Sequence, residues 1–316
     1  MSRKLFALSL TATLMGGAAY AETPQVAVDI APVHSLVARV MDGIGKPDLI
    51  IQPGASPHEY SLRPSEASAL QAADLVFWIG PDLTPWLTDT IGTLASDAVV
   101  TELMEADGTI ELEFREGALF EAHDHDDHGD DDDHDEAESG HEGHDHGAHD
   151  PHAWLSPKNA MNWLNVIAGR LSAVDPDNAG AYFANAAAGR TEIKTLIGEV
   201  TATLDPVRGG QFIVFHDAYQ YFEMDFDFPA SGAISISDAS DPSPARIAKI
   251  QARIAEQGID CVLAEPQFNP GLVATVLDGT DAQTGILDPL GSDLELGPAF
   301  YPQLIRNLSN VLADCM

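Results

Sequence analysis

Four side chains that can bind a metal ion lie at comparable places along the chain. His58, His216 and Asp288 each come shortly after a short apolar run, and His152 lies in a turn that follows a highly acidic segment. Ligands of parallel sheets bind where the carboxyl ends of the strands meet, so we expect these four groups to converge. They are 94, 64 and 72 residues apart, which excludes a local motif such as HExxH. Each histidine taken singly could equally have a structural role.

Three imidazoles and one carboxylate form a donor set that suits Zn²⁺. Zinc binds histidine nitrogen readily and is usually tetrahedral, with a carboxylate or water in the fourth position. Ca²⁺ and Mg²⁺ prefer all-oxygen sites, and Mn²⁺ favours more carboxylates. Of the twelve histidines only four lie outside the acidic segment, and three of those four belong to the predicted site. The sequence therefore predicts a zinc site.

The acidic segment comprises residues 121–150. It holds fourteen acidic residues and eight histidines but no lysine or arginine. Because it has no hydrophobic periodicity, we expect a disordered insertion. Its carboxylates attract cations and its imidazoles can bind zinc, with low affinity because a flexible chain loses entropy on binding. A solvated spacer whose metal binding has no function is the alternative. The histidines of the segment are His123, His125, His128, His134, His141, His144, His146 and His149.

The elements that must position the predicted site alternate between strands and helices. This rhythm predicts an α/β fold with mostly parallel sheets flanked by helices. The predicted strands are residues 26–30, 48–52, 74–79, 211–215, 261–264 and 284–287. The predicted helices of the two halves are residues 34–41, 65–73, 244–257, 269–277 and 302–313.

Two further helices separate the halves. The first covers residues 157–172, and the second runs from about 176 to 204 without an internal proline. A helix of that length spans about 40 Å, enough to join two domains as a stiff strut. We therefore expect an N-terminal domain over 22–155, a helical segment over 156–207 and a C-terminal domain over 208–316.

Five motifs, in this order, resemble those of periplasmic zinc-binding proteins of the ZnuA type, the solute receptors of ABC zinc importers. The resemblance covers nearly the whole chain after its first residues, including the acidic insertion and the long helix. The motifs are Gly54-Ala-Ser-Pro-His-Glu-Tyr-Ser-Leu-Arg-Pro64, Asp150-Pro-His-Ala-Trp-Leu-Ser-Pro157, Phe215-His-Asp-Ala-Tyr219, Ala264-Glu-Pro-Gln-Phe268 and Leu287-Asp-Pro-Leu-Gly291.

The resemblance implies a metal ion held in a cleft between two α/β domains that a rigid helix joins. His58, His152 and His216 match the ligand positions of the family, and its manganese-binding members usually carry a carboxylate where this chain has His216. Asp288 matches the usual fourth ligand, with Glu59 or water as the alternative. The partner implied is an inner-membrane ABC permease, and we expect the chain to be a monomer.

Residues beside the ligands have other expected roles. Asp217 is expected to orient a ligand imidazole, although a turn-capping role is equally open. Glu265 is expected to stabilise the domain contact, and Trp154 and Tyr219 are expected to pack around the site. His34 begins a helix, so we expect it to cap or pack rather than bind metal.

The chain ends predict export. Residues 1–21 have a basic start, a short apolar stretch and an A-x-A-like cleavage site, as a secretory signal peptide does, so we expect the protein in the periplasm. The chain has two cysteines, Cys261 and Cys315. An even count in an exported chain favours a disulfide, with two buried thiols as the alternative.

Composition limits the function classes. A formal charge of −35 argues against nucleic acid and anionic lipid, because both need a basic surface. Beyond the signal peptide no apolar run reaches about 18 residues, so we expect no integral membrane segment. An enzyme with zinc-bound water is disfavoured, because catalysis needs an open zinc position and no nucleophile elbow is present. A zinc buffer or adhesin acting through the acidic segment is a third hypothesis.

Overall fold

The computed structural model describes residues 23–115, 120, 149–235 and 242–316. The N-terminal lobe contains a four-stranded parallel sheet of order β2-β1-β3-β4. Its elements are β1 (Val26–Val28), α1 (Ala31–Val40), β2 (Asp48–Leu49), α2 (Pro64–Ala72), β3 (Leu75–Trp78), α3 (Pro85–Leu94) and β4 (Val99–Glu102).

The middle of the chain and the C-terminal lobe follow. Two helices, α4 (Pro157–Val174) and α5 (Ala179–Leu204), precede a second parallel sheet of order β6-β5-β7-β8. The elements of this lobe are β5 (Phe212–His216), α6 (Gln220–Phe226), β6 (Ala233–Ser235), α7 (Pro244–Gln257), β7 (Cys261–Ala264), α8 (Pro270–Leu277), β8 (Gln283–Ile286) and α9 (Phe300–Cys315).

Apart from His216 at the end of β5, the central strands β1, β3 and β5 are apolar, because helices cover both faces of each sheet. Every residue of β1, β3 and β5 is buried. Successive side chains of a strand point to opposite faces, and β5 divides accordingly. Phe212 and Val214 join the large core, while Ile213 and Phe215 join a smaller core formed with α7 and α8.

The α5 helix runs along both lobes. Its 26 residues span about 39 Å. Arg39 of α1 pairs with Glu192 of α5 at 2.8 Å, and Arg306 of α9 pairs with Glu199 at 2.8 Å. Because one continuous core includes residues of both lobes and of this helix, the two sheets are held on a common support.

Several predictions are confirmed. The structure has two parallel-strand sheets flanked by helices and a long central helix, which starts with a short 3₁₀ turn at Pro176–Asn178. Cys261, at the start of β7, forms a disulfide with Cys315, at the end of α9, so the prediction of a disulfide is correct. The division into domains stays a prediction.

Other elements were not predicted. They include α3 and β4 in the first lobe and α6 and β6 in the second. β4 is an edge strand in which Val99 and Val100 are exposed, so it lacks the pattern of a central strand. The predicted signal peptide and most of the acidic segment lie outside the described residues. Within those residues, no helix is both long and apolar enough to cross a membrane.

Candidate metal centre

A small pocket between the lobes brings the three predicted histidines together. The loop after β2 contributes to it from one side, and the loops after β5, β7 and β8 contribute from the other side. The turn that contains His152 also lines it. The lining residues are Ser56, Pro57, His58, His152, Trp154, His216, Glu265, Gln267, Phe268, Pro289 and Leu290.

His216 is oriented by Glu265. His216 is the last residue of β5, and Glu265 follows the neighbouring strand β7, so parallel pairing places the two side by side. The Nδ1 atom of His216 lies 2.7 Å from Oε1 of Glu265, which also accepts a hydrogen bond from the His216 backbone N–H at 3.3 Å. Both side chains are buried. Burial raises the pKa of Glu265, whereas the nearby His216 acts to lower it.

His152 has the same arrangement with Asp150. Its Nδ1 atom lies 2.7 Å from Oδ1 of Asp150, which accepts the backbone N–H of His152 at 3.0 Å. Both residues are buried, Asp150 almost completely. Burial raises the pKa of Asp150 to about 7, while hydrogen bonding from His152 and the charges of Arg115 and His216 act to lower it.

The two oriented imidazoles face each other through their other nitrogens. With Nδ1 donating to a carboxylate, Nε2 of a neutral imidazole carries the lone pair. The Nε2 atoms of His152 and His216 are 3.3 Å apart. Two ligand nitrogens on a tetrahedral zinc ion, each about 2.0 to 2.1 Å from the metal, are about 3.4 Å apart. The observed distance therefore matches one edge of a zinc tetrahedron.

His58 forms the third wall of the pocket. Its ring centroid lies 5.8 Å from that of His152, and the residue is half-buried. Its loop is anchored by Trp86, whose indole N–H donates to the Pro57 carbonyl at 2.8 Å. Among the described residues, no three His, Cys, Asp or Glu side chains are already arranged to hold a metal ion. His58 borders the same pocket as His152 and His216.

The structure does not bring Asp288 or Glu59 into this pocket. Asp288 organises the loop after β8: its Oδ1 accepts the Leu290 N–H at 2.9 Å, and its Oδ2 accepts both the N–H and the hydroxyl of Ser292 at 2.6 Å. It lines a neighbouring cavity that faces α9. Glu59 is exposed to solvent. The fourth ligand therefore stays a prediction.

Aromatic side chains shield the histidine pair from water. Trp154 packs 5.2 Å from the His152 ring and Phe268 lies 5.5 Å from the His216 ring, both measured between ring centroids. Trp154 also donates to the Pro289 carbonyl at 2.8 Å, across the two lobes. Tyr219 is buried with its ring 6.3 Å from that of His216. The expected packing role of Trp154 and Tyr219 is correct.

The expected roles of Asp217 and Glu265 need correction. Glu265 orients His216, whereas Asp217 turns away and pairs with Arg115, whose Nε lies 3.0 Å from Oδ2 of Asp217. Because β5 and β7 are neighbouring parallel strands, Glu265 lies closer to the His216 imidazole than Asp217 does, although Glu265 is 49 positions away in the chain. Arg115 and Asp150 were not given roles from the sequence. The sequence could have indicated a role for Arg115, since it is the only Lys or Arg between positions 64 and 157.

His34 lies outside the pocket, as expected. It is buried in α1, and its Nε2 contacts the Pro47 carbonyl oxygen at 3.1 Å. Burial lowers the pKa of His34, which suits a neutral packed imidazole.

The described end of the acidic segment is anchored beside the site. His149 pairs with Glu113 in an isolated antiparallel bridge, and its ring lies 3.7 Å from the Glu111 carboxylate. The Asp150 N–H donates to the Leu112 carbonyl at 2.8 Å. The other seven histidines of the segment lie outside the described residues.

Comparison with known proteins shows which family the chain resembles in sequence. Residues 26–315 match the family model described as ZnuA, "Zinc-uptake complex component A periplasmic". A protein of Brucella abortus named high-affinity zinc uptake system protein ZnuA is 49% identical, over 98% of this chain and 97% of its own length. A protein of the same name from Paracoccus denitrificans is 44% identical, over 94% of this chain and 93% of its own length.

A solved structure shares the fold. The crystal structure of a ZnuA deletion mutant with zinc bound superimposes with a TM-score of 0.74, at 22% identity, over 93% of this chain and 98% of that chain. The family match over nearly the whole length and the two close relatives together show that this chain belongs to the ZnuA family of periplasmic zinc-uptake components, which are transport proteins and not enzymes.

Proposed function

We propose that this protein captures Zn²⁺ in the pocket between its lobes and delivers it to an ABC-type membrane permease. The ligands are His58, His152 and His216. The observation that carries the proposal is the pair of Nε2 atoms 3.3 Å apart, each on an imidazole whose other nitrogen meets a buried carboxylate. Such carboxylate partners fix the ring orientation and strengthen the imidazole as a ligand.

The donor set supports zinc as the cargo. Imidazole nitrogens suit zinc, whereas Ca²⁺, Mg²⁺ and Mn²⁺ favour oxygen-rich sites. The relatives from Brucella and Paracoccus are named as high-affinity zinc uptake proteins, which supports the same assignment here.

Asp288 is the proposed fourth ligand, with Glu59 as the alternative. The Asp288 carboxylate already accepts four hydrogen bonds, from the Leu290 N–H, the Ser292 N–H and hydroxyl, and the Gln267 side chain at 3.3 Å. Because a carboxylate has about four acceptor sites, zinc binding by Asp288 would replace one of these bonds. The zinc affinity of Asp288→Asn and Glu59→Gln variants separates the two. Replacing the residue that binds zinc should weaken binding, whereas replacing the other should leave the affinity unchanged. If neither changes binding, water completes the shell.

The acidic segment is proposed as an auxiliary collector. Its histidines and carboxylates raise the local concentration of zinc close to His152, since the segment ends at Asp150. The periplasmic location, the signal peptide over residues 1–21 and the permease partner are part of the same proposal, which the family match supports.

Calorimetric zinc titration of the full chain and of a deletion variant tests the proposal. The deletion must cover residues 121–148 and spare Asp150, because Asp150 orients His152. We expect one tight site in both proteins and additional weak sites in the full chain alone. Loss of the tight site on deletion would contradict the pocket and support a zinc buffer or adhesin that acts through the segment.

A further inference from the structure

Arg115 joins the two lobes through a buried ion-pair cluster. It lies on the segment that continues from β4 of the first lobe, and its guanidinium reaches two carboxylates of the second lobe. Its Nε lies 3.0 and 3.1 Å from the oxygens of Asp217, and its terminal nitrogens lie 2.7 and 2.9 Å from those of Glu223. The side chain of Arg115 is 19% exposed, and those of Asp217 and Glu223 are 6% and 5% exposed.

Both carboxylates belong to the part of the chain that directly follows His216 of the metal pocket. Asp217 directly follows His216, and Glu223 belongs to α6, the next helix of the chain. The carboxylate of Glu223 also accepts the Ala230 N–H at 3.1 Å. Tyr221 of the same helix accepts the Leu112 N–H at 3.0 Å and donates to the Asp150 carbonyl at 2.8 Å. The α6 helix is therefore tied to Leu112, which precedes the acidic segment, and to Asp150 at the end of that segment.

We propose that Arg115, Asp217 and Glu223 form a latch that holds the lobes closed, with Arg115 as a positioning residue for the zinc site. This proposal rests on the proposed zinc-binding function. Opening the lobes at this point separates a buried cation from two buried anions. A buried charge that loses its partner is strongly destabilised, so the free-energy cost of separating these charges opposes opening of the lobes. Zinc held between His152 and His216 is then released slowly.

The latch also lies close to the residues that directly precede the acidic segment. Arg115 is the last residue described before position 120, and its guanidinium carbon lies 3.6 Å from the centre of the Phe120 ring. A planar guanidinium can stack on an aromatic face while it donates from its edge to carboxylates. Lysine cannot reproduce this fork, so Arg115→Lys keeps the charge but only part of the contact.

The rate of zinc dissociation tests the latch. We compare wild type with Arg115→Gln and Arg115→Lys, loading each with one zinc per chain and mixing it with excess chelator. The matched control is Arg306→Gln, which removes a half-exposed pair between Arg306 and Glu199 away from the pocket. We expect dissociation about 10-fold faster or more in Arg115→Gln, because truncating a buried charge pair acts mainly on the dissociation rate. Arg115→Lys should be intermediate and Arg306→Gln should match wild type.

A second variant keeps the test decisive if Arg115→Gln fails to fold. Glu223→Gln removes one carboxylate and leaves Asp217 paired, and it should speed dissociation in the same direction. A lower thermal midpoint of the metal-free variants together with wild-type dissociation rates would overturn the latch, because Arg115 would then be purely structural. Absence of tight zinc binding in wild type would contradict the proposed function itself. Tight wild-type binding with unchanged variant rates contradicts the latch alone.

Discussion

Two buried imidazoles are oriented by carboxylates in ways that sequence distance does not reveal. Asp150 lies two positions from His152, whereas Glu265 lies 49 positions from His216. The histidines themselves could be predicted, because few histidines lie outside the acidic segment and three of these fall in loops or at strand ends. Glu265 could not be assigned, because its role depends on the register between β5 and β7.

Replacing His216 should weaken zinc binding far more than replacing His34. His216→Ala removes a proposed ligand, and we expect affinity to fall more than about 100-fold, beyond the effect of an outer partner. His34→Ala changes a packed imidazole outside the pocket, so zinc affinity should stay at the wild-type value. Competition titration with a chromophoric chelator measures both. Equal losses in the two variants would contradict the ligand assignment.

Replacing Glu265 should weaken zinc binding without removing a ligand. Glu265→Gln keeps the shape but loses the charge that supports the His216 imidazole, and outer partners of this kind contribute about 10- to 100-fold in metal affinity. Glu199→Gln, in an exposed pair with Arg306, is the matched control and should bind as wild type does. Wild-type affinity of Glu265→Gln in the same chelator competition would show that the carboxylate has no part in binding.

At the scale of elements, buried strands were easier to predict than edge strands. β1, β3 and β5 are short apolar runs because both their faces are covered. β4 exposes Val99 and Val100 at the sheet edge, and the helix before it has only two buried side chains, Leu87 and Ile91. Neither element carries the pattern that marks a core, so both were missed. The long α5 could be predicted since no proline interrupts it.

The disulfide should stabilise the second lobe without affecting zinc. It closes a loop with a sequence separation of 54 residues, for which the chain-entropy model gives about 4 kcal/mol. A Cys261→Ala, Cys315→Ala double variant should lose stability of that order in denaturant unfolding. Neither cysteine lines the histidine pocket, so zinc affinity should be unchanged. Equal stability of the oxidised wild type and the double variant would refute this contribution.

Glu102, at the end of β4, should make stability depend on pH. Burial, with Glu105 and Asp82 nearby, raises the pKa of Glu102 from 4.5 to about 7. Because the folded pKa is the higher one, its contribution to stability is fully present below pH 4.5 and is lost as pH rises through 7. Glu102→Gln should therefore gain stability relative to wild type between pH 5 and pH 8. Thermal midpoints of the metal-free proteins measure this difference, and a constant offset across that range would contradict the shift.

At the scale of the molecule, two lobes on one long helix place the three proposed histidine ligands, from distant parts of the chain, around a single pocket. The net charge of −35 excluded polyanions but could not identify the cargo; the isolated imidazoles did. The resemblance implied the cleft, but the contacts across it depend on how the lobes pack. The Arg115 latch and the loop that holds Asp288 follow from that packing, so neither could be predicted from local sequence.

X-ray absorption at the zinc edge tests the central claim most directly, on the variant that lacks residues 121–148 and carries one zinc per chain. The account predicts a four-coordinate shell with three imidazole nitrogens at about 2.0 to 2.1 Å. His216→Ala in the same background should lose one imidazole from that shell. A shell dominated by oxygen, or one with fewer than three imidazoles, would contradict zinc capture by His58, His152 and His216.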